Sequence, residues 1–330
     1  MKRAAFELVS AALILVLVTA SVGLCAGTGE TDGAEITRGN GFFEGRDGVS
    51  LYYQYWRVEE PKAIMILVHG FGEHSDRYDE VAKHFCGEGI SCYALDHRGH
   101  GRSGGPRWNV ENFDYFVDDL HKFVQLVKEE EGLNRYFMLG HSLGGEIALK
   151  YALVHPDEMD ALVVSGPVVG GYQSVPMLGR MEVPLPMMRL LDPLLGIGKR
   201  LLPDMGMPGS QIDPSLLNHD ENNTRAYAED PMVCHEPMKL GITAELSKNI
   251  VWLQDHASEL QVPSLILTGS EDVLVPTEAV EDFYNKVEIP DKEFIRYDSF
   301  YHEILNEPES YKGGKERVLG DIDSWLLPRI

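Results

Sequence analysis

Gly140-His141-Ser142-Leu143-Gly144 decides how this 330-residue chain is read. The pentapeptide has the form G-x-S-x-G. Before it stands Arg135-Tyr136-Phe137-Met138-Leu139, short, aromatic and apolar as a buried strand is. After it, Glu146 to Leu153 is a run of good helix formers. A serine held between such a strand and such a helix must take a sharp, strained turn. Glycines two positions to either side remove the side chains that would collide there. The turn exposes the hydroxyl, and the helix aims its N-terminal N–H groups at whatever the serine attacks. Ser142 is the expected nucleophile.

Outward from this unit, continuous apolar runs recur at Ala63–Val68, Ile90–Leu95, Ala161–Val164 and Ser264–Leu267, with Leu51–Val58 as an opening strand. Runs without a polar face read as strands covered on both sides. Helical segments separate them, most clearly Asn112–Glu130, whose stripe includes Phe116, Leu120, Phe123 and Val127. This alternation predicts an α/β fold, a mostly parallel sheet with helices on both faces. It breaks after Ser165. Residues 167–208 carry seven prolines and six of the twelve methionines, and 209–250 is more polar and expected to be helical. The βα pattern resumes at Val262. An insertion rich in flexible apolar side chains reads as a cap over the active face.

The N-terminus is a separate object. Met1-Lys2-Arg3 precedes an almost wholly apolar stretch from Leu8 to Ala26. That pattern is a secretory signal peptide, cleaved after Ala20 or Ala26, or an uncleaved membrane anchor, with lipidation at Cys25 as a third alternative. The protein is expected to be exported, and either secreted, periplasmic or anchored. The organisation expected is thus residues 1–26 as leader or anchor, 27–41 as linker, 42–165 and 251–330 as core, and 166–250 as cap.

With 52 acidic against 29 basic residues and a formal charge of −23, the chain has nothing to neutralise phosphates, which excludes a nucleic-acid partner. The acidity itself reads as solubility. The N-terminal segment and the cap are the parts suited to membrane contact. No protein partner is implied. Cys86, Cys92 and Cys234 have no zinc spacing and read as small buried hydrophobes, with a Cys86–Cys92 bridge as the alternative in an oxidising compartment. Asp96-His97-Arg98-Gly99-His100 lacks a third metal ligand and reads as a structured loop. Neither metal nor organic cofactor is expected.

A serine hydroxyl needs a base, most often an imidazole held in the right tautomer by a carboxylate. After a strand–serine–helix turn of this kind the acid comes next along the chain and the histidine last. His302 follows the strand-like Glu293–Tyr297, so it lies in a loop at the carboxyl end of a strand, where a base belongs. His219, His235 and His256 fall in or near the cap and are expected to be structural or solvent-facing. The loop after Ser264–Leu267 offers Glu271 and Asp272. Asp272 is preferred because Gly269 permits the turn and Val273-Leu274-Val275 follows; Glu271 is the fallback. Acyl transfer further needs donors for the oxyanion. The backbone N–H groups of Leu143, directly after the serine, and of Phe71, in the loop after the Ala63–Val68 strand, are the candidates.

His69-Gly70-Phe71-Gly72-Glu73-His74-Ser75-Asp76-Arg77-Tyr78, Asp96-His97-Arg98-Gly99-His100-Gly101-Arg102-Ser103, the serine pentapeptide with Gly145, and Tyr301 to Glu307 together resemble the α/β-hydrolase superfamily, and within it the monoacylglycerol lipase and lysophospholipase group with its S33-type relatives. The resemblance runs from about residue 42 to the C-terminus. It implies an eight-stranded, mostly parallel sheet with the cap inserted after strand six. It implies a triad of Ser142, Asp272 and His302, with oxyanion donors at Phe71 and Leu143. It also implies polar contacts to the alcohol end of a substrate, matched by Glu73, Arg77 and Tyr227. For Glu73 and Arg77 a mutual ion pair bracing the loop is the alternative. Phe71 replaces the small residue often found there, and Leu305 stands where mammalian relatives carry a second histidine. The implied activity is hydrolysis of single-acyl-chain lipid esters such as monoacylglycerol or lysophospholipid. A thioesterase, an acyltransferase, a proline-type aminopeptidase and a non-catalytic ligand-binding protein share the pattern. Dehalogenases and epoxide hydrolases place Asp where Ser142 stands.

Overall fold

The computed structural model describes residues 35–175 and 179–330. The apolar N-terminal segment, 1–26, lies outside them. Among the described residues no helix is long and apolar enough to cross a membrane.

In chain order the elements are β1 (Thr37–Glu44), β2 (Ser50–Arg57), β3 (Ala63–Val68), α1 (Asp79–Gly87), β4 (Ile90–Leu95), α2 (Asp114–Glu131), β5 (Tyr136–His141), α3 (Leu143–Val154) and β6 (Ala161–Ser165). The insertion then contributes a hairpin, β7 (Tyr172–Val175) and β8 (Gly179–Glu182), followed by α4 (Leu185–Leu201), α5 (Glu221–Glu229) and α6 (Leu240–His256). β9 (Ser264–Gly269), α7 (Thr277–Lys286), β10 (Lys292–Tyr297) and α8 (Gly314–Leu326) close the chain. Eight strands form one sheet in the order β1-β2-β4-β3-β5-β6-β9-β10. The β1–β2 and β2–β4 pairs are antiparallel and the rest parallel.

The central strands β3, β4, β5, β6 and β9 are buried at every position and largely apolar because each face has its own core. Ile64, Ile66 and Val68 of β3 join Tyr136 and Met138 of β5 under α2, α3, α6 and α7. Ala63, Met65 and Leu67 join Phe137 and Leu139 on the other face, under α1 and α8. α2 buries the stripe read from its sequence and ends at Gly132, whose left-handed φ of 67° supplies the stop. α3 is buried on nearly every side, as a helix without an amphipathic pattern must be.

One expectation needs correction. β1 starts at Thr37, inside the stretch read as linker. Gly39 and Gly41 suggested a linker, but they face Tyr55 and Tyr53 of β2 across the register. A Cβ on Gly39 would come within 2.2 Å of the Tyr55 hydroxyl, so the glycines make room for rings that cover the strand. Cys86, Cys92 and Cys234 are buried free thiols, as expected of small buried hydrophobes, and the alternative Cys86–Cys92 bridge is not formed.

Candidate active site

Ser142 caps the N-terminus of α3 with φ 54° and ψ −118°, a left-handed-side conformation that a residue with a side chain adopts only under constraint. The constraint is visible on both sides. A Cβ on Gly140 would lie 2.5 Å from the Gly144 carbonyl oxygen, and one on Gly144 only 1.9 Å from that of Val68. The two glycines thus let α3 press against the ends of β5 and β3. The backbone carbonyl of Ser142 accepts from the N–H of Glu146 at 3.0 Å and of Val168 at 3.2 Å, locking the turn. As the first residue of α3, Leu143 has no intrahelical acceptor for its N–H, which stays free for an incoming oxyanion.

His302 and Asp272 meet beside this turn. The Nδ1–H of His302 donates to Asp272 Oδ2 at 2.7 Å, and both residues are buried. Asp272 Oδ1 accepts from the N–H groups of Leu274 and Val275 at 2.8 and 2.9 Å, so the carboxylate is aimed by its own loop. Gly269 is required at the end of β9: a Cβ there would lie 2.1 Å from the Tyr301 carbonyl, blocking the segment that delivers His302. Glu271, the fallback acid, is exposed. The His302 ring lies 4.8 Å from the ring of His141, the neighbour of Ser142. Burial pulls the His302 pKa down, but Asp272, with Glu303 and Glu73 behind it, carries it above the ordinary imidazole value. His141, buried and next to His302, is held below that value.

Ser142, His302, Phe71 and Leu143 open onto one cavity of about 380 Å³. Its walls are apolar, built largely by the insertion through Met188, Leu191 and Leu195 of α4 and Leu246 and Ile250 of α6. Met188 and Met207 face it, whereas Met187 and Met205 are exposed.

One end of the cavity is polar. Glu73, Arg77, Tyr227 and Glu303 line it. Glu73 Oε1 accepts from the Gly70 N–H at 2.6 Å and the Tyr78 hydroxyl at 2.9 Å, while Oε2 pairs with Arg77 at 2.6 Å. Arg77 also grips Glu303 with two bonds of 2.7 and 2.8 Å. Glu73 and Arg77 thus brace the loop as an ion pair, and both line the cavity. Glu303 received no role from sequence. Its position next to His302 was the available signal, and its partners Asn218 and Arg77 come from distant segments. Burial pushes its pKa up, yet Arg77 outweighs this and leaves it at about 2. The Tyr227 ring stacks on the Arg77 guanidinium, 4.8 Å from its centroid, and its buried hydroxyl has no partner. Leu305 lies beside this network, buried.

The other singled-out histidines stay away from the cavity. His219 pairs with Glu307 at 2.8 Å and stacks on Tyr301, His256 bonds to the Trp252 carbonyl, and His235 is exposed. In the Asp96–Ser103 loop, Asp96 accepts from the Ser75 and Arg102 N–H groups, and His97 and His100 bond to backbone carbonyls. Among the described residues one group has metal-ligand spacing, His121, His155 and Glu158. Its imidazoles are stacked 9° from parallel, so no ion can lie in both ring planes as arranged. It sits at the opposite end of α3 from Ser142.

The arrangement can attack a carbonyl carbon with a hydroxyl, accept its proton on the cavity-facing nitrogen of His302 and stabilise the resulting oxyanion. A family model described as serine aminopeptidase, S33, matches residues 59–309. A monoacylglycerol lipase of Mycolicibacterium smegmatis is 33% identical over 295 residues, covering 89% of this chain and 99% of its own. The monoglyceride lipase of Mus musculus is 31% identical over 286 residues, covering 86% and 89%. Among solved structures, the Paleococcus ferrophilus monoacylglycerol lipase superposes with a TM-score of 0.68 at 26% identity, covering 90% of this chain and all 100% of that one. With this sheet, this serine turn and these relatives, the chain belongs to the serine aminopeptidase S33 family of α/β-hydrolases, in its monoglyceride lipase-like branch of carboxylic-ester hydrolases.

Proposed function

We propose that the protein hydrolyses esters of single-acyl-chain lipids, monoacylglycerol or lysophospholipid, through an acyl-enzyme on Ser142. The observation that carries this reading is the cavity itself: long apolar walls, one polar end, and Ser142 and His302 both lining it. The acyl chain lies along α4 and α6, and the alcohol lies against Tyr227, whose hydroxyl lacks a partner. His302 takes the Ser142 proton and delivers it to the leaving alcohol, Asp272 holds the imidazole, and the N–H groups of Phe71 and Leu143 receive the oxyanion. Water then releases the acid by the same route. An aminopeptidase would need an uncommitted carboxylate for the substrate's amine, and Glu73 and Glu303 are both committed to Arg77, which favours the ester reading. The deciding experiment is hydrolysis of monoacylglycerol and lysophospholipid panels with labelling by a fluorophosphonate. Activity and labelling must both vanish in S142A; a labelled or fully active S142A protein removes the mechanism.

Membrane contact is part of the same proposal. α4 has two apolar faces. Met188, Leu191 and Leu195 turn to the cavity, while Leu190, Leu194, Ile197 and Leu201 are between 57 and 73% exposed. Their spacing of three and four residues makes an outward stripe suited to lie in a lipid interface. Residues 166–250 act as the cap that carries this helix. Export or anchoring through residues 1–26 would bring the cap to a membrane surface; fractionation of cells expressing the full chain tests it.

A further inference from the structure

Glu146 lies on α3 four residues after Ser142 and is fully buried. Asn249, on α6, is buried opposite it, and its Nδ2 donates to Glu146 Oε1 at 2.9 Å. The remaining oxygens of the two groups, Glu146 Oε2 and Asn249 Oδ1, are buried without partners. An ionised carboxylate only accepts, and so does an amide oxygen, so ionised Glu146 strands both. One proton on Oε2 turns that oxygen into a donor and supplies the one the Asn249 oxygen lacks. We propose that Glu146 holds a proton at neutral pH and closes with Asn249 a ring of two hydrogen bonds, positioning the α6 wall of the cavity against the helix that carries Ser142.

The surroundings agree. Burial pushes the Glu146 pKa well above the usual carboxyl value, and Asn249 and Lys150 only partly oppose it. Lys150 is already paired with Asp114 of α2 at 2.6 Å. On α6, Glu245 is bound by Lys199 and by the Phe113 N–H at 2.8 Å, and Lys248 acts on Asp192. β3 and β6, beneath α3, carry no charged residue, and β5 offers His141 and Tyr136, held neutral by burial.

α6 supplies Thr243, Leu246, Ser247 and Ile250 to the cavity, so the ring connects the acyl wall to the serine turn. Glu146 itself does not line the cavity and is a positioning residue. When alkali removes its proton, both buried acceptors are left without a donor and α6 loses this attachment.

E146Q is the discriminating variant, because a glutamine–asparagine pair forms the same ring without a titrating proton. In the infrared difference spectrum of parent minus E146Q at pH 7, the proposal requires a protonated-carboxyl carbonyl stretch, above the amide bands, in the parent. In kinetics, E146Q keeps kcat/KM within about threefold at pH 7, and the reversible alkaline rise in KM of the parent is flattened. E146M, which cannot form the ring, raises KM about tenfold at pH 7 with kcat little changed. A carboxylate band in place of the protonated one, or an E146Q protein as alkali-sensitive as the parent, overturns the proposal. The kinetic arm rests on the ester-hydrolase reading; the infrared arm needs no substrate, so the two can fail separately.

Discussion

Arg77 and Glu303 stand 226 residues apart in sequence and are joined by two parallel hydrogen bonds beside His302. The pair fixes the chain on the C-terminal side of the His302 imidazole to the loop that carries Phe71. Arg77→Met leaves Glu73 and Glu303 buried without their cation, and breaking a buried pair in this way costs about 3–5 kcal/mol. Urea denaturation measures that loss directly. Because the folded pKa of Glu303 is depressed to about 2, its contribution is present above the ordinary carboxyl value and fades as pH falls toward 2. The parent should therefore lose stability across that acid window, and the Arg77 variant should lose less there.

On the proposed mechanism, the pH dependence of activity follows from His302. Its nitrogen must be unprotonated to accept the serine proton, and its pKa stands above that of ordinary imidazole. The acid limb of kcat/KM is accordingly displaced upward, with activity rising as pH passes above it. Asp272→Asn removes the principal raising charge and lets the wrong tautomer form. Activity should fall by roughly 10⁴-fold, with the limb moved to lower pH where residual rate can be followed.

Glycines separate packing from propensity. Gly144→Ala would set a Cβ 1.9 Å from the Val68 carbonyl, so α3 must move and activity disappear. Gly196 on α4 has open space around the same atom, and Gly196→Ala should stabilise by roughly 0.5–1 kcal/mol through helix propensity and a less disordered unfolded chain. Thermal melts and ester assays on the two variants test both statements.

The outward face of α4 gives an interfacial prediction. L190E combined with L194E places charge on the exposed stripe without touching the cavity lining. Hydrolysis of substrate presented in vesicles should drop about tenfold or more, while hydrolysis of a short soluble p-nitrophenyl ester stays near the parent level. Equal losses on both substrates would remove the membrane role of this face.

The parts of the site legible in sequence were those encoded within a few residues. The serine turn announces itself through its own glycines, and His302 and Asp272 each follow a recognisable strand. Glu303 and Glu146 were not legible, because their meaning lies in Arg77 and Asn249, which only the folded chain brings to them. β1 was obscured for a related reason: Gly39 and Gly41 look like linker until Tyr55 and Tyr53 are laid across them. The hairpin of β7 and β8 has strands of four residues each, too short to show a period within a proline-rich stretch.

The positive φ of Ser142 has a consequence for how this sequence can change. A non-glycine residue held there costs of order 1–3 kcal/mol, and the surrounding packing, not the residue, sustains it. Alanine at 142 keeps that cost and loses the hydroxyl, whereas glycine relieves the strain and yields an inert protein that is the sturdier of the two. The sequence that folds best and the sequence that reacts are therefore different at this position. On the proposed mechanism, the chain gives up stability at this position in order to keep its hydroxyl.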